Sequence, residues 1–537
     1  MFVFIGLFIF FLVFAPHLIS FSDGAEFAIS VATLGISHPP SYPLFITLGK
    51  LFYFLPVGSV YFRLVIYSIT VSSLIFYCIW KLWDADNWKK IILIIFLLCS
   101  DNLMESTLIA EVYGLNLLFF ALIYIFFLNM GKDVRFGFLI AFLIGLALGN
   151  HQTIALIMPF FVIQAYRNKL LKDIKNASLV ISLFFIGLSI YLYLPIRAEK
   201  SLWNWGNPTN LSFFLTSLFR LDFKTKGFFR PVEHFFNQLL SLNPINEVGV
   251  VAAIAAIMAV AIIFQKDKQF FIKHILLYLI FSILIVILLG YDSISFEKMT
   301  LVYAPFFLPA YFILGLFVAE STKYLREYQK YILFIFLLTG FIAQQSYYLN
   351  FALTNHAVKS YNYSKSQLAI LPINSVLIVE GGEKDFPLIY EQIVKKHRED
   401  IKIIKLSMLG KKWNFKESVQ AGATYQKGYE GEYDSKKAIF KAVVLFQKEF
   451  KGRRVFTNIL EREELPSTLK YNINGLFYEF GDGKELDLDF FRSYGINKKK
   501  DKIVVDLLNQ NLINAKNKGD IEKVLKINEI LKKIEEN

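Results

Sequence analysis

The sequence has few of the features that mark the common classes of soluble enzyme. Cysteine is scarce: both cysteines, Cys78 and Cys99, lie inside apolar runs, which excludes a disulfide framework. The chain has no glycine-rich phosphate loop ending in Gly-Lys-Ser/Thr, no Cys/His spacing typical of a metal centre and no Gly-x-Ser-x-Gly elbow. These absences argue against a P-loop nucleotidase, a zinc-binding domain and an α/β-hydrolase.

Charged residues are also scarce, and they are unevenly distributed. Only 19% of the 537 residues are charged, whereas 55% are apolar. Of the charged residues, 42 precede position 351 and 59 lie in the 187 residues that follow. We therefore predict a polytopic α-helical membrane protein, with a transmembrane domain over residues 1–350 and a small extracytoplasmic α/β domain over residues 351–537.

Apolar segments in the first domain predict about eleven transmembrane helices, since a bilayer core of about 30 Å needs roughly 20 apolar residues per helix. The predicted spans are 2–19, 63–81, 89–103, 107–129, 136–149, 153–165, 178–195, 248–264, 272–290, 300–318 and 331–348. The first is interpreted as a membrane span and not as a secretory signal peptide, because no basic stretch precedes it and further spans follow.

The loops between these spans differ in charge on alternate sides. Lysine and arginine collect in one set, for example between Lys81 and Lys90 and between Arg167 and Lys175, and this set is predicted to be cytoplasmic. The other set includes the outer loops 20–62 and 197–247 and holds nearly every unusual polar residue. Much of the net charge of +13 lies in the short loops between apolar segments, where basic residues set membrane orientation. We therefore expect the partner to be a lipid bilayer and not nucleic acid.

The second domain has a strand–helix–strand pattern. Ser375–Glu380 and Ile401–Leu406 are typical of strands and 386–397 of a helix, which together predict a βαβ unit. Further helices are predicted at 436–450 and 519–535, and further strands at 453–459 and 475–480. The Gly-Gly turn between Glu380 and Asp385 is the closest approach to a ligand loop, although such a turn usually only connects its neighbours.

Two carboxylates, Asp23 and Glu26, lie three residues apart directly after the first predicted span. On a helix they share one face, between lipid and water, where a carboxylate can act as a general base or bind a divalent ion. The alternative is a capping box in which Asp23 is the N-cap and Glu26 its partner. His38 follows before two prolines, in a rigid turn that either holds it for contact with a phosphate or sugar or only leads the chain back into the membrane.

Further polar residues lie at predicted membrane boundaries on the outer side. Ionisable and amide side chains at this depth either face a cavity or extend to the interface. The arginine among them could pair with a lipid-linked phosphate, and the tryptophan could stack on a sugar or belong to an interfacial aromatic belt. These residues are Glu111, Tyr113, Asn150, His151, Arg197 and Trp205.

Several of these residues fall in motifs that occur in a fixed order along the chain. The motifs are SDGAEF, GISHPPSYPLF, AEVYGLN, GNHQT, YLYLPIRA and NWGNP. Together with the segment from Asn374 to Leu406, they resemble the protein O-mannosyltransferase-like family, formerly a domain of unknown function and now grouped with the GT-C glycosyltransferases. The resemblance covers roughly residues 10 to 410.

The resemblance implies a GT-C-like membrane fold and transfer of a sugar, such as the hexose mannose, from a polyprenyl-phosphate donor to a protein or glycan acceptor. Asp23 matches the aspartate of the family's first outer loop and Glu26 the glutamate that follows, which makes them the expected catalytic pair, with Asp23 as general base of an inverting displacement. His38 and Arg197 would hold the phosphate, and Glu26 or Glu111 would orient the acceptor or a divalent cation. The expected substrate-binding residues are His38, Glu111, Tyr113, Asn150, His151, Arg197 and Trp205.

Two features of this chain depart from the family pattern. Ala25 and Ser41 stand where glycine is common, and the run from Gly381 to Asp385 replaces a more acidic, Asn-containing run, which argues against a ligand role there. A transporter or flippase, or a non-catalytic assembly protein, would use the same buried polar residues differently. The outer face is predicted to be the periplasmic side of a bacterial inner membrane, or the endoplasmic-reticulum lumen if the source is eukaryotic.

Overall fold

A computed structural model describes most of the chain. The described residues are 1–221, 232–288, 303–347, 353–379, 382, 385–405, 453–458, 471–474, 477–480, 509, 512–513, 516 and 521–536. Two compact units follow one another, Met1–Lys359 and Ser360–Asn537. The predicted helix at 436–450 and most of the Gly-Gly turn before Asp385 lie outside the described residues.

The first unit is built of helices. In chain order they are α1 (Phe2–Val13), α2 (Asp23–Thr33), α3 (Pro43–Tyr53), α4 (Val60–Leu82), α5 (Asn87–Leu98), α6 (Asp101–Leu108), α7 (Tyr113–Asn129), α8 (Arg135–Leu148), α9 (Met158–Arg167), α10 (Ile174–Leu188), α11 (Tyr193–Ala198), α12 (Leu211–Leu218), α13 (Val232–Leu240), α14 (Pro244–Lys266), α15 (Lys268–Leu279), α16 (Ile285–Leu288), Leu308–Ser321 and Glu327–Tyr347. The helix Leu353–Ile370 begins in the first unit and ends in the second. Short 3₁₀ segments at Gln152–Ile157, Ser189–Leu192 and Ala304–Phe307 join some of them.

Within the described residues, several helices are long and apolar enough to cross a membrane, so the chain is a multi-pass integral membrane protein. Five pass on length and composition, and a sixth is added if the bent pair α5 and α6 is one span. The five are Val60–Leu82, Ile174–Ala198, Pro244–Lys266, Lys268–Leu288 and Ala304–Tyr324. Other apolar helices, such as α1 and α8, have fewer than the roughly 20 residues that a straight span needs. The number of eleven spans therefore stays a prediction.

The segment predicted as one span at 89–103 is broken. α5 ends at Leu98, α6 begins at Asp101, and the two helices are bent by 74°. Ser100 is the N-cap of α6, and its hydroxyl accepts a hydrogen bond from the Leu103 N–H at 3.1 Å. The buried Glu247, in the first turn of α14, accepts hydrogen bonds from the Ser100 hydroxyl and from the backbone and side-chain N–H groups of Asn102. One carboxylate thus joins the start of α6 to the start of α14.

A polar segment separates the predicted spans 136–149 and 153–165. α8 ends at Leu148, and after Asn150 and His151 the chain turns through a 3₁₀ segment into α9. Asn150 and His151 are both buried. Buried polar groups need partners in the protein, so this interruption is a site where side chains meet and not a solvated loop.

The second unit contains a mixed five-stranded sheet in the order β2-β1-β3-β5-β4. Its strands are β1 (Val376–Val379), β2 (Lys402–Lys405), β3 (Val455–Thr457), β4 (Tyr471–Asn474) and β5 (Phe477–Phe480). β1 pairs in parallel with β2 and β3, and helix Phe386–Ile393 lies between β1 and β2 in the chain, which is the predicted βαβ unit. β5 is antiparallel to both β3 and β4.

Candidate active site

The two predicted catalytic carboxylates lie in the first turn of α2. Ser22 is extended and caps this helix, since its hydroxyl oxygen accepts the Gly24 N–H at 3.2 Å. Asp23 is therefore the first residue of the helix and not its N-cap. The alternative interpretation of Asp23 and Glu26 as a capping box is wrong, and both carboxylates are available for other contacts.

Glu26 is fully buried and accepts three hydrogen bonds. Its Oε1 accepts from the backbone N–H of His38 at 3.0 Å and from the indole N–H of Trp203 at 3.2 Å. Its Oε2 lies 2.5 Å from Nδ1 of His38. Burying a carboxylate is costly unless donors surround it, and here two distant parts of the chain supply them. Glu26 therefore has a structural role in holding the His38 imidazole in place.

The second ring nitrogen of His38 faces Asp23 and Tyr42. Nε2 lies 3.1 Å from the Tyr42 hydroxyl and 3.6 Å from Oδ2 of Asp23. Burial alone would lower the pKa of His38, but the carboxylates of Asp23 and Glu26 outweigh burial, and its pKa is raised above the ordinary 6.5. The Asp23 side chain keeps 29% of its surface exposed, whereas that of Glu26 is inaccessible, so Asp23 is the carboxylate that a substrate could reach.

Arg197 lies at the opposite end of α2. Lys50 and Arg197 both donate to backbone carbonyls in the last turn and C-cap of this helix, at 2.8 to 3.1 Å. Cations at this end satisfy carbonyls that have no partner within the helix and oppose its dipole. Thr33 is about 15 Å along the axis from Asp23, at 1.5 Å per residue. The structure therefore does not bring Arg197 to the carboxylates.

An aromatic layer adjoins the cluster. The ring of Tyr42 is stacked on that of His151 at 6.3 Å, and the rings of Tyr113 and Phe306 lie 5.5 Å and 5.2 Å from His151. The first residue of α7 and the interruption after α8 thus meet the turn that carries His38 and Tyr42. Tyr113 and His151 were predicted to bind substrate, and the structure brings them together.

Glu111 also lies near this layer. It is half-buried just before α7. A β-carbon on Gly24 would lie only 3.1 Å from the backbone carbonyl oxygen of Ala110, the residue before Glu111. Burial raises the pKa of Tyr42, and the charges of Asp23 and Glu111 raise it further, which places both carboxylates near the phenol. The close approach at Gly24 is what allows this segment to pack against the first turn of α2.

Arg220 was not predicted from the sequence. Its positive charge lowers the pKa of both His38 and His151, so its guanidinium lies near them. Burial lowers the pKa of His151 to about 3, with smaller contributions from Arg220 and His38, so His151 is neutral at physiological pH. Arg220 follows α12 in the outer loop predicted at 197–247. Arg220, and not Arg197, is therefore the arginine that the structure places near these two histidines.

The same loop closes over the cluster. A parallel bridge joins Ile36 to Asn204, with the Ile36 N–H donating to the Trp203 carbonyl at 2.7 Å and the Trp205 N–H to the Ile36 carbonyl at 2.9 Å. This pairing holds the Trp203 indole against Glu26 and places the ring of Trp205 6.2 Å from that of His38. Trp205 is therefore next to the predicted site.

Asp23, Glu26 and His38 are also a candidate set of metal ligands. One ligand atom from each lies within 4.8 Å of the other two. However, both oxygens of Glu26 already accept N–H hydrogen bonds, and Nδ1 of His38 is engaged with Glu26. A metal would need neutral, unprotonated imidazole, whereas this histidine has a raised pKa. The donor set fits a hydrogen-bonded carboxylate–imidazole cluster better than a divalent-ion site.

Comparison with solved structures identifies the class of fold. The structure of ArnT from Cupriavidus metallidurans bound to undecaprenyl phosphate is similar, with a TM-score of 0.55 and 10% sequence identity, over 89% of this chain and 97% of that chain. The structure of the same ArnT in the apo state matches equally well, covering 96% of that chain. The chain therefore has the helical, ArnT-like GT-C fold.

Sequence comparison shows which family the chain resembles. Residues 23–175 match the protein O-mannosyl-transferase TMEM260 N-terminal domain, and residues 360–427 match the TMEM260-associated domain 2. Protein O-mannosyl-transferase TMEM260 of Mus musculus is 31% identical over 236 residues, which are 39% of this chain and 32% of the relative. The predicted resemblance to the protein O-mannosyltransferase-like family, with a GT-C fold, is confirmed.

A second curated relative is aligned over a longer segment. Protein O-mannosyl-transferase tmem260 of Dictyostelium discoideum is 23% identical over 457 residues, 74% of this chain and 55% of the relative. The chain thus spans less than two thirds of the length of the curated relatives that it matches. The match to the N-terminal domain includes Asp23, Glu26, His38, Glu111, Tyr113, Asn150 and His151, and ends before Arg197, Trp205 and Arg220.

Proposed function

We propose that the protein is a membrane glycosyltransferase of the GT-C type, which moves a hexose such as mannose from a polyprenyl-phosphate donor to a protein or glycan acceptor. The observation that carries the proposal is the Asp23–His38–Glu26 cluster, in which one carboxylate is reachable and the other is held behind the imidazole. The names of the two relatives and the fold of ArnT support the same class of reaction.

In the proposed mechanism Asp23 is the general base. Its carboxylate accepts the proton of the acceptor hydroxyl as that oxygen attacks the anomeric carbon of the donor. The bond from the anomeric carbon to the phosphate oxygen breaks, its electron pair leaves with the polyprenyl phosphate, and the configuration inverts. The imidazole of His38, which is itself in contact with the phenol of Tyr42, keeps the Asp23 side chain oriented.

The roles of the other residues follow from their positions. Arg220 is proposed to neutralise the phosphate, and His38 to contact it, because both side chains lie at the cluster. Glu111 is proposed to orient the acceptor, and the aromatic rings of Tyr113 and Trp205 to flank the sugar. Arg197 is proposed to stabilise α2 instead of binding phosphate, and Glu26 to position His38 instead of meeting substrate.

We further propose that the site and residues 351–537 lie on the outer side of the membrane. The arrangement of basic loops supports this orientation. The curated relatives come from mouse and Dictyostelium, which favours a eukaryotic source and the endoplasmic-reticulum lumen over the bacterial periplasm. For the second unit we propose only this extracytoplasmic location.

The decisive experiment measures sugar transfer in membranes that carry the protein at equal expression, with a radiolabelled polyprenyl-phosphate mannose and native acceptors. Asp23→Asn should lower the rate by about 10²- to 10⁴-fold, the usual contribution of a general base. Asp133→Asn, which alters an exposed aspartate paired with Arg135, is the matched control and should have wild-type activity. Wild-type rates in Asp23→Asn would overturn the mechanism. If wild-type protein transferred no common hexose, the transporter and assembly alternatives would replace the proposal.

A further inference from the structure

Two buried amide oxygens next to the candidate site lack a hydrogen-bond partner within the part of the chain that the structure describes. Asn116 and Asn150 are 4% and 0% exposed, and Oδ1 of each is unpaired among the described residues. The nitrogen side of each amide is engaged: Asn116 donates to the Thr153 hydroxyl at 3.1 Å and Asn150 to the Val112 carbonyl at 3.0 Å. Because a carbonyl can only accept, the bond to Val112 fixes which end of the Asn150 amide is the oxygen.

The two amides belong to one cluster at the start of α7. The backbone N–H of Asn116 donates to the Val112 carbonyl at 3.1 Å, which is the same carbonyl that the Asn150 side chain contacts. Thr153, the partner of Asn116, also lies 2.8 Å from Nδ1 of His151. The aromatic layer of Tyr113 and Tyr42 then connects this cluster to the Asp23–His38 pair.

A buried carbonyl without a donor is destabilising, and native proteins contain few of them. Two such oxygens in one cluster would be satisfied by a ligand that carries several hydrogen-bond donors. A hexose supplies donors from its hydroxyl groups, and the neutral His151 adds a ring nitrogen without introducing a charge. A phosphate would be repelled by two carbonyl oxygens, so the cluster suits the sugar and not the phosphate of a lipid-linked donor.

We propose that Asn116 and Asn150 form the subsite for the donor sugar, in which their Oδ1 atoms accept hydrogen bonds from hydroxyl groups of the hexose. This inference rests on the proposed function, since it assigns the sugar of that donor to a place in the same site. The lipid phosphate then lies toward Arg220 and His38. The anomeric carbon lies between the two, within reach of an acceptor bound at Asp23.

The test compares two ligands on the purified full-length protein in nanodiscs. Binding of polyprenyl-phosphate mannose and of polyprenyl phosphate is measured for wild type, Asn116→Ala and Asn150→Ala. Asn129→Ala is the matched control, because Asn129 lies at the other end of α7 and donates only to a backbone carbonyl of its own helix at 3.0 Å. We expect each subsite variant to bind the sugar lipid about 10- to 100-fold more weakly, with the affinity for polyprenyl phosphate unchanged.

Three results would overturn the inference. The first is an equal loss of affinity for both lipids, which would mean that the amides shape the fold. The second is unchanged affinity for the sugar lipid, which would mean that the oxygens meet only water. The third is wild-type protein that binds neither lipid, which would overturn the proposed function as well and is thereby distinguished from the first two.

A second measurement covers the case in which a variant does not fold. Wild-type protein should bind polyprenyl-phosphate deoxyhexoses, each lacking one hydroxyl, and at least one of them should bind about tenfold or more weakly than the parent sugar lipid. Equal binding of every deoxy analogue by wild type would overturn the subsite without the use of any variant. In a folded Asn116→Ala protein, the analogue that lacks the hydroxyl contacted by Asn116 should bind no more weakly than the parent.

Discussion

The indole N–H of Trp203 donates to the buried carboxylate of Glu26, which precedes it by 177 residues in the chain. This bond joins the loop after α11 to the first turn of α2. Together with two bonds from His38, it satisfies a carboxylate that has no access to solvent. The orientation of the His38 imidazole therefore depends on Trp203, which lies beyond the matched N-terminal domain of residues 23–175.

Trp203→Phe should weaken the protein and the site while it keeps most of the buried ring. The change removes one of three donors to Glu26, and a lost hydrogen bond to a charged group costs about 1.5–3 kcal/mol of folding free energy. Thermal unfolding of the purified protein in detergent should show a lower Tm, and the sugar-transfer rate should fall. Trp88→Phe is the control, since that indole pairs with a glutamate in an exposed bond far from the site. An unchanged Tm in Trp203→Phe would mean that the bond contributes nothing.

The raised pKa of His38 predicts that stability falls as pH rises. The folded protein holds the proton more tightly than the unfolded chain, whose histidine has an ordinary pKa of 6.5. The stabilisation from the protonated imidazole is therefore fully present below about pH 6.5 and is lost as the pH rises through the higher folded value. Tm measured from pH 6 to pH 9 should decline in wild type and decline less in His38→Asn. A parallel decline in both proteins would contradict the assignment.

Sugar transfer should not require a divalent ion at the cluster. Both oxygens of Glu26 and Nδ1 of His38 are already in hydrogen bonds, so a metal would have to displace three of them. Transfer and Tm should be unchanged after treatment with EDTA and after addition of Mn²⁺ or Mg²⁺. A loss of activity with EDTA that Mn²⁺ restores, and that is absent in Glu26→Gln, would instead establish Asp23, Glu26 and His38 as metal ligands.

Substitution of Arg197 should lower stability, whereas substitution of Arg220 should weaken donor binding. Arg197→Ala removes a cation from the C-terminal end of α2 and should lower stability by about 0.5–1 kcal/mol, with donor affinity retained. Arg220→Ala should weaken binding of polyprenyl phosphate by roughly 10- to 100-fold, since charge-assisted bonds to phosphate contribute about 1.5–3 kcal/mol. Binding and Tm are measured on both. If Arg197→Ala lost affinity for the lipid at normal Tm, the phosphate would be held where the sequence predicted it.

Glu247 should be among the residues on which the fold depends most. Its carboxylate serves three donors at the break between α5 and α6, and Glu247→Ala would leave them buried without a partner. Each unsatisfied group costs about 1–3 kcal/mol, so the folded yield and Tm should fall sharply. Glu247→Gln, which keeps an acceptor oxygen, should lie between this variant and wild type. Glu327→Gln, at an exposed glutamate, is the control.

Local sequence identified many of the site residues but not the contacts that depend on distant parts of the chain. Asp23, Glu26 and His38 lie within 16 residues of one another in the predicted outer loop 20–62, so the sequence alone could select them as candidate site residues. The position of Arg197 depends on the end of a helix more than 160 residues away, which no local pattern reveals. Arg220 had no local signal either, because several other basic residues follow it in the same loop.

The fold shows the same limit. Hydropathy located apolar helices but could not distinguish a straight span from a broken one, because the break at Ser100 is fixed by Glu247 from another helix. Residues 331–348 and 63–81 were placed close to the helices Glu327–Tyr347 and Val60–Leu82, since each of these is a single continuous helix. The unpaired oxygens of Asn116 and Asn150 could not be predicted at all, because pairing is a property of the folded neighbours.

The bridge between Ile36 and Asn204 also sets an order of events during biosynthesis. α2 leaves the ribosome early, but the carboxylate of Glu26 gains the Trp203 donor only after about 170 further residues have been translated and their loop has reached the same side of the membrane. Until then Glu26, which holds the imidazole of His38, lacks the hydrogen bond from Trp203. A nascent chain that stopped at residue 175, the end of the matched N-terminal domain, would carry the carboxylates and the histidine but no finished catalytic centre.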